Sequence, residues 1–345
     1  MELHVLSPAL DRIGTIRHWQ SMTWEEEYNG MGAFQLIVDD TPVYAAMIRQ
    51  GCFFYRKDRP YTVMRAVLVE RQGANGTITV GGYSVLHMLN WRVATGKRTF
   101  KNLPADVYSM VSQELRGLPV TVAAGTDLQE TVDKELDSPV VGDSIVSLLE
   151  ETELGMRMVL DYPAKTFVFE IYKGADRAYR DGEGGYVFSP ARKNLGPLKV
   201  TEDDDLYKNV AVIVCHNGES SSVFYYPEDH ESISGMERRE LLVFGESQGD
   251  RSAEQWKRDM LQKGMDALKE HNMVCTFTAE PRPGDFGVLY NLGDLVTCKE
   301  DRYGVRFDAR ITQYKHTSDK NGDRVTLTLG KPAVSYVRGE LIKYV

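Results

Sequence analysis

The stretch NLGDLVTCKEDRYGVRFDARITQYKHTSDKNGDRVTLTLGKP, residues 291–332, is the part of the sequence that decides the fold. A Leu-Gly-Asp turn leads into three runs in which apolar and polar residues alternate, a pattern typical of half-buried β-strands. Asn321-Gly322 separates the last two runs and suits a tight hairpin turn. Gly293 permits a backbone turn, and Asp294 can accept hydrogen bonds from nearby backbone N–H groups. The stretch therefore predicts an antiparallel β ladder.

The first part of the chain, up to about Thr95, shows the same strand pattern. GAFQLIVDD, GCFFYRKD, YTVMRAVLVERQ and GTITVGGY alternate or are apolar between turn residues. Asn75-Gly76 marks a further hairpin turn. SVLHMLNWRV then predicts a short helix, so this part of the chain is expected to form a unit of antiparallel strands closed by that helix.

Residues 96–198 predict a small α+β unit. LPADVYSMVSQELRG places apolar residues on one helical face and stops at Gly117. GDSIVSLLEETELG repeats this form, with Gly155 as the expected C-terminal stop. MRMVLDY and TFVFEIY follow as a predicted hairpin.

The remaining part of the chain contains a strand and a long helix before the closing ladder. DLYKNVAVIVCHNG is apolar on both faces of a predicted strand, which indicates a central position in a sheet. SAEQWKRDMLQKGMDALKEHN is the longest helix signal, and Ser252 with Gln255 has the capping-box spacing. We expect the strand to belong to a second β domain and the helix to an insertion within it.

Together these patterns predict a mainly β protein with α+β insertions, built from two barrel-like antiparallel β domains and two smaller inserted domains. The chain of 345 residues is long enough for about two to four such units. The predicted boundaries are 1–95 for the first β domain, 96–198 for the α+β insertion, 199–220 with 273–345 for the second β domain, and 221–272 for the insertion with the long helix.

The composition is that of a soluble globular protein. With 41 basic and 50 acidic residues the formal net charge is −9, which opposes tight binding to nucleic-acid phosphates. No apolar run approaches the roughly 20 residues that span a bilayer, and the N-terminus lacks a signal-peptide pattern, so no membrane anchor is expected. The cysteines are scattered and are predicted to be buried, reduced thiols: Cys52, Cys215, Cys275 and Cys298.

The sharpest enzymatic candidate is the segment LLVFGESQGD. Its Gly245, Ser247 and Gly249 match G-x-S-x-G between a strand and a helix, as in the nucleophile elbow of a hydrolase. Asp294 or Asp308, followed by His316, would complete the chain order of an α/β-hydrolase triad. An elbow requires a parallel sheet with βαβ crossovers, however, and the sequence predicts antiparallel strands with few helices. A serine hydrolase using Ser247 is therefore the alternative hypothesis.

The sequence predicts no metal site and no cofactor. DKNGD, residues 319–323, resembles the start of a calcium loop, but Gly330 stands where a bidentate Glu should close that loop. The seven histidines include no pair at a spacing such as H-x-x-x-H. The 18 Tyr, 12 Phe and 4 Trp leave a carbohydrate-binding tail or adhesion module as a further alternative, although strand and helix patterns favour core packing.

The order of units resembles the hub proteins at the tail tip of long-tailed bacteriophages, including the structural N-terminal module of tail-associated lysins. MELHVLSPALDRIGTIRHWQSMTWEEEYNGMGAFQLIV is similar to the family's opening segment, with Gly32 and Phe34, and GTITVGGYSVLHMLNWRV to the end of its first barrel. DLYKNVAVIV is similar to its Tyr-x-Asn strand, here Tyr207 and Asn209. YNLGDLVTC is similar to its Leu-Gly-Asp segment before the last strands. These segments and the regions around them cover about two-thirds of the chain.

This resemblance implies a structural role without catalysis or cofactor. Two barrels from each of three subunits would form a ring with six-fold pseudo-symmetry that joins the six-fold tail tube to a three-fold tip and lets DNA pass. The implied partners are two further copies of the chain, a distal tail or tail-tube protein, tip, receptor-binding or fibre proteins, and genomic DNA that is not bound specifically. The expected location is the virion tail tip, after synthesis in the bacterial cytoplasm. The peptidase or lysozyme domain of longer members is expected to be absent, because the chain ends at Val345.

Overall fold

The chain forms two compact units. A computed structural model describes residues 2–73, 76–125, 127–150, 152–180, 184–217, 220–269, 271, 274–282 and 284–330. Unit 1 comprises Met1–Lys199 and Phe277–Gly330, and the described part of unit 2 lies within Val200–Thr276. Asn75 of a predicted hairpin turn and residues 331–345 of the predicted second β domain lie outside the described residues.

The described residues contain twenty-one strands and four α-helices. The strands are β1 (Leu3–Leu6), β2 (Arg12–Ile16), β3 (Ser21–Glu27), β4 (Ala33–Asp39), β5 (Phe53–Tyr55), β6 (Val63–Arg71), β7 (Thr77–Ser84), β8 (Lys97–Asn102), β9 (Val120–Val122), β10 (Thr131–Asp137), β11 (Gly155–Asp161), β12 (Thr166–Tyr172), β13 (Val187–Phe188), β14 (Leu195–Asp203), β15 (Val210–Asn217), β16 (Ser220–Tyr226), β17 (Glu240–Phe244), β18 (Val274–Pro281), β19 (Leu295–Glu300), β20 (Val305–Asp319) and β21 (Gly322–Leu329). The helices are α1 (Pro42–Met47), α2 (Leu103–Glu114), α3 (Val141–Glu150) and α4 (Ala253–Lys269). The predicted short helix of the first unit is a 3₁₀ helix at Val85–Trp91.

A 13-stranded sheet that curls into a half-barrel dominates the fold. Its strand order is β14-β18-β21-β20-β3-β4-β7-β6-β5-β1-β2, with β19 and β13 branching from β20. The predicted hairpin of β20 and β21 forms, and β20 also pairs antiparallel with β3, so that His316 lies opposite Trp24. The mainly β class is therefore confirmed, and the strands near the two ends of the described chain belong to one continuous sheet.

Two large hydrophobic cores are described in unit 1, apart from further buried residues such as Phe188 and Leu327. One lies on a face of the large sheet and includes Trp24, Phe34 and Phe54. The other joins α2, α3 and the sheet β11-β12-β9, and the apolar face predicted for α2 is buried in it. Because both cores draw on residues far apart in the sequence, unit 1 depends on long-range contacts.

Gly155 does not end α3, contrary to the sequence prediction. The helix ends at Glu150, and Gly155 is instead the first residue of β11. It does not adopt the positive φ of a glycine C-cap. The reason for a glycine at this position is a tertiary contact with Tyr28, described below.

Unit 2 contains a three-stranded sheet with α4 on one face. In the order β16-β15-β17, β15 is the central strand, as its apolar pattern predicts, and it runs parallel to β17. Ser252 Oγ accepts a hydrogen bond from the N–H of Gln255 (3.2 Å) at the start of α4. Leu242 and Phe244 on β17 remain exposed.

β15 was expected in the second β domain, but it pairs within this separate sheet because its inward side chains pack against α4. The remaining boundaries of the four-part division stay a prediction.

Two further expectations concern burial and the membrane. Cys52, Cys215 and Cys298 are buried, as predicted, whereas the side chain of Cys275 lies outside the described residues. Within the described ranges, the helices lack the length and apolar character that crossing a bilayer requires.

Candidate functional site

Tyr28, directly after β3, makes hydrogen bonds to distant parts of unit 1. Its N–H donates to the carbonyl of Thr312 (2.8 Å), and its own carbonyl accepts from the N–H of Met156 (2.9 Å). Its hydroxyl accepts from the N–H of Gly174 (3.0 Å) and lies 2.9 Å from the carbonyl of Glu153, to which it can donate. Burial raises the pKa of this hydroxyl, so it remains a hydrogen-bond donor.

Three glycines surround Tyr28 where a larger residue would not fit. A Cβ atom at Gly155 or Gly293 would overlap the Tyr28 ring, and one at Gly174 would overlap the carbonyl of Gly293. Gly293 also has a φ of +91°, in the left-handed region that favours glycine. We refer to Tyr28, Gly155, Gly174, Gly293 and Asp294 as the Tyr28 junction. It joins the loop after β3, the hairpin of β11 and β12, and the turn before β19.

Asp294 holds two of these segments together. Its carboxylate, which is almost fully buried, accepts hydrogen bonds from the N–H groups of Asn291 (2.9 Å) and Ala175 (2.9 Å). Arg177 Nε donates to it at 2.7 Å. A buried carboxylate is costly unless such donors surround it, so the chain must place all three correctly. The backbone hydrogen bonds expected of Asp294 are therefore present, and one of them reaches across to the α+β segment.

The other two motif residues of unit 1 lie near the start of β4. Gly32 has a φ of +57°, and a Cβ atom there would overlap the carbonyl oxygen of Glu25. Phe34 is buried, with its ring centroid 5.1 Å from that of Phe54 and 6.2 Å from that of Trp24. Both residues thus serve the packing of the large sheet.

Tyr207 and Asn209 lie in unit 2 and have a common partner. The side-chain amide of Asn209 donates to the carbonyl of Glu237 (2.7 Å) and accepts from the N–H of Arg239 (2.8 Å). The Arg239 guanidinium lies 5.7 Å from the centroid of the Tyr207 ring. The pair fixes the segment before β15 against the segment before β17. The joint role of the six motif residues in the two units stays a prediction.

A cleft of about 600 Å³ lies beside the Tyr28 junction in unit 1. Its wall comes from residues 26–32, the loop between β5 and β6, residues 84–86, the hairpin of β11 and β12 with the residues after it, and residues 287–294. The wall contains four acidic and four basic side chains together with aromatic and apolar groups. Its volume falls in the range of small-molecule sites, about 300–1,000 Å³.

Buried charge in the wall is paired. Arg59 donates from Nε and Nη2 to the two carboxylate oxygens of Glu26, at 2.8 and 2.6 Å. Its guanidinium also lies 4.5 Å from the ring centroid of Phe286 and 4.3 Å from that of Tyr314. A bidentate pair of this kind orients both side chains and holds the loop between β5 and β6 against β3.

Glu27, also in the wall, has a raised pKa. Burial is the main cause, and the negative charge of Glu25 adds to it. Tyr172, another residue of the wall, has a raised pKa as well, chiefly because it is buried. Both groups therefore favour their protonated, neutral form more than they would in water.

Next to this wall, Arg56 and His316 form a buried contact. Arg56 is 1% exposed and places Nη1 3.0 Å from His316 Nδ1. Since arginine has only donors, Nδ1 must accept, which makes His316 neutral with its proton on Nε2, 3.5 Å from an oxygen of Asp323. Burial, and then the charge of Arg56, lowers the pKa of His316. Arg56 is also paired with Asp58 in the loop between β5 and β6.

The side chains named for a hydrolase triad do not form one. His316 contacts Arg56 and Asp323, as described, and not the proposed acids. Asp294 binds the donors named above, and Asp308 accepts from Thr297 Oγ1 (2.5 Å) and Arg180 (2.7 Å). Ser247 follows β17 in unit 2. The three-stranded sheet that contains β17 includes an antiparallel pair, β15 with β16. The acid–histidine link of the alternative hypothesis is therefore wrong for these residues.

Metal binding has no candidate among the residues that the structure describes: they contain no cluster of three or more His, Cys, Asp or Glu side chains suited to an ion.

The sequence did not single out Tyr28 or Arg157, on β11. The segment YNGMG, with Gly30 and Gly32 two and four residues after Tyr28, is the local signal that was available. Its partners cannot be read from it, because they lie more than 120 residues away.

The same fold occurs in phage tail proteins. A tail protein from Neisseria meningitidis MC58 matches with a TM-score of 0.60 at 13% identity, covering 95% of this chain and 96% of that one. The 43 kDa tail protein of prophage MuSo2 from Shewanella oneidensis matches with a TM-score of 0.59 at 12% identity, covering 95% and 97%. A Francisella PdpA-VgrG complex matches with a TM-score of 0.51 at 8% identity, covering 99% of this chain and 59% of that one.

The fold is thus one that phage tail proteins have. The chain belongs to the family described as Siphovirus ReqiPepy6 Gp37-like protein, whose model matches residues 2–114 and 120–331. Comparison with curated protein sequences found no match. The resemblance to tail proteins of long-tailed phages that the sequence indicates is confirmed.

Proposed function

We propose that this chain is a structural hub protein of a phage or prophage tail tip. In this proposal three copies form a ring between the six-fold tail tube and a three-fold tip, and DNA passes through the lumen. The observation that carries it is the fold shared over 95% of the chain with tail proteins. Family membership over nearly the whole described chain supports it.

The Tyr28 junction gives this role a physical basis. A tail tip must keep its shape while its partners bind, and the junction fixes three chain segments through side chains that have little room to move. The partners in this proposal are further copies of the chain, a distal tail or tail-tube protein, and tip, receptor-binding or fibre proteins. The similarity to the PdpA-VgrG complex supports association with other proteins of such an apparatus.

The proposed role involves no catalysis. The protein would reside in the virion tail tip after synthesis in the cytoplasm of the bacterial host. Its net charge of −9 suits a lumen through which DNA passes without being held, because like charges repel. The six motif residues, Gly32, Phe34, Tyr207, Asn209, Gly293 and Asp294, would act by holding the fold of each subunit.

The first test is the mass in solution, measured by analytical ultracentrifugation over a range of concentrations. The proposal expects a species of three times the 39.0 kDa chain mass, which is a less common state than a dimer. Negative-stain images of that species should show a ring with an open lumen. A dimer, or a trimer without a lumen, would contradict the proposed hub.

A further inference from the structure

The cleft in unit 1 contains two arginines whose orientation is fixed but whose outer nitrogens have no partner among the described residues. Arg157 Nε donates to Glu170 at 2.7 Å, and Arg177 Nε donates to Asp294 at 2.7 Å. Neither guanidinium has a further hydrogen-bond acceptor for Nη1 or Nη2 in the part of the chain that the structure describes. Each side chain is partly open to solvent, at 26% for Arg157 and 42% for Arg177.

Aromatic rings hold the Arg157 guanidinium in place. Its central carbon lies 4.3 Å from the ring centroid of Tyr61 and 4.5 Å from that of Tyr172. Contacts of this kind stabilise the cation and limit its rotation. A ligand that uses the outer edge of this arginine therefore meets a donor that is already oriented, which lowers the entropic cost of binding.

A second, independent observation is an unpaired polar group in the wall of the same cleft. Ser84 is 5% exposed, and its hydroxyl has no hydrogen-bond partner among the described residues. Buried hydroxyls are normally paired, so an unpaired one in a cleft wall indicates a group that completes it. The two guanidinium edges therefore supply the donors that an acceptor-rich ligand can reach, whereas the Ser84 oxygen itself is enclosed in the wall.

We propose that the cleft in unit 1 binds a carboxylate group through the outer nitrogens of Arg157 and Arg177. Forked guanidinium groups match the two oxygens of a carboxylate, and the apolar side chains Met156 and Met158 in the wall suit the carbon chain that bears it. Inorganic phosphate fits less well, since it has no carbon chain to contact these apolar side chains. The site does not depend on the ring proposed above.

The carboxylate can come from two sources, an acidic side chain of another protein or a small free carboxylate. The test uses the full chain and a fluorescein-labelled tetraglutamate peptide, followed by fluorescence anisotropy, with citrate and inorganic phosphate as competitors. We expect saturable binding of the peptide that is weakened at least tenfold by Arg157→Gln and by Arg177→Gln. Arg17→Gln is the matched control, because Arg17 is an exposed arginine that is also paired with a carboxylate, that of Glu2.

Competition by citrate distinguishes the two sources of the carboxylate. Displacement by citrate supports the site with a free carboxylate as its ligand, and binding of the peptide without displacement by citrate supports it with a protein side chain. The proposal is overturned if the peptide does not bind saturably, if all three variants bind alike, or if phosphate displaces the peptide as well as citrate does. Far-ultraviolet circular dichroism of each variant shows that the fold is retained, and the two cleft variants test the site independently.

Discussion

Replacing Gly293 with alanine should destabilise unit 1 more than the same change at any open turn. Two effects add at this position. The φ of +91° costs a side chain about 1–2 kcal/mol, the value for a left-handed conformation. The new Cβ atom would also overlap the Tyr28 ring, and overpacking of this kind costs about 1–3 kcal/mol. The expected loss in the free energy of unfolding is therefore about 2–5 kcal/mol.

Gly96→Ala is the control for the backbone effect. Gly96 has a φ of +82°, close to that of Gly293, but a Cβ atom there would have no neighbour within 4 Å. Its loss should be limited to about 1–2 kcal/mol, since only the backbone term applies. The measurement is urea unfolding at pH 7, followed by tryptophan fluorescence, with Trp24 buried in the same unit.

A double-mutant cycle identifies the contact responsible. In a Tyr28→Ala background the ring is absent, so Gly293→Ala should cost no more than Gly96→Ala does. Equal losses for the two glycine variants in the natural background would refute the contact with Tyr28. An excess that persists without the Tyr28 ring would assign the strain to another neighbour of Gly293.

Two further predictions concern His316 and Ser247. The pKa of His316 is lowered in the folded chain, so the unfolded chain binds more protons as the pH falls below about 6.5. The free energy of unfolding should therefore drop by up to about 1.4 kcal/mol per pH unit. Urea unfolding from pH 7 to pH 5 should show a shallower drop for His316→Gln, and equal slopes would contradict the buried contact with Arg56. Ser247 is exposed, and the triad named for it does not form. A fluorophosphonate probe should therefore label the natural chain no more than it labels the Ser247→Ala variant. If the natural chain is labelled and the variant is not, the hydrolase hypothesis is restored.

The sequence predicts elements well where one local pattern decides them. The apolar face of α2, the hairpin of β20 and β21, and the Ser252 cap of α4 follow from spacing alone. Gly155 shows where that approach fails. A glycine after a helix is most simply a C-cap, yet here the backbone is extended and the side chain is excluded by a ring 127 residues earlier in the sequence.

The cleft was missed for a related physical reason. Arginine, tyrosine and glutamate on strands are typical of a solvated face, and the spacing of Arg157 gives no sign of the two rings around it. Strand β15 could be predicted only in part. Its central position follows from its apolar faces, but its sheet does not, because pairing depends on β17 and α4, which come later in the chain.

The Tyr28 junction also sets an order for events during synthesis. Tyr28 and Gly155 emerge from the ribosome early, but Gly293, which completes the contact, follows only after the Val200–Thr276 part of unit 2. At bacterial rates of up to about 20 residues per second, the roughly 80 residues of unit 2 take about 4 s or more to translate. During that interval β3 lacks its neighbour β20, so its unpaired edge is open to strands of other nascent chains. Slower translation of the last strands should therefore lower the yield of folded protein.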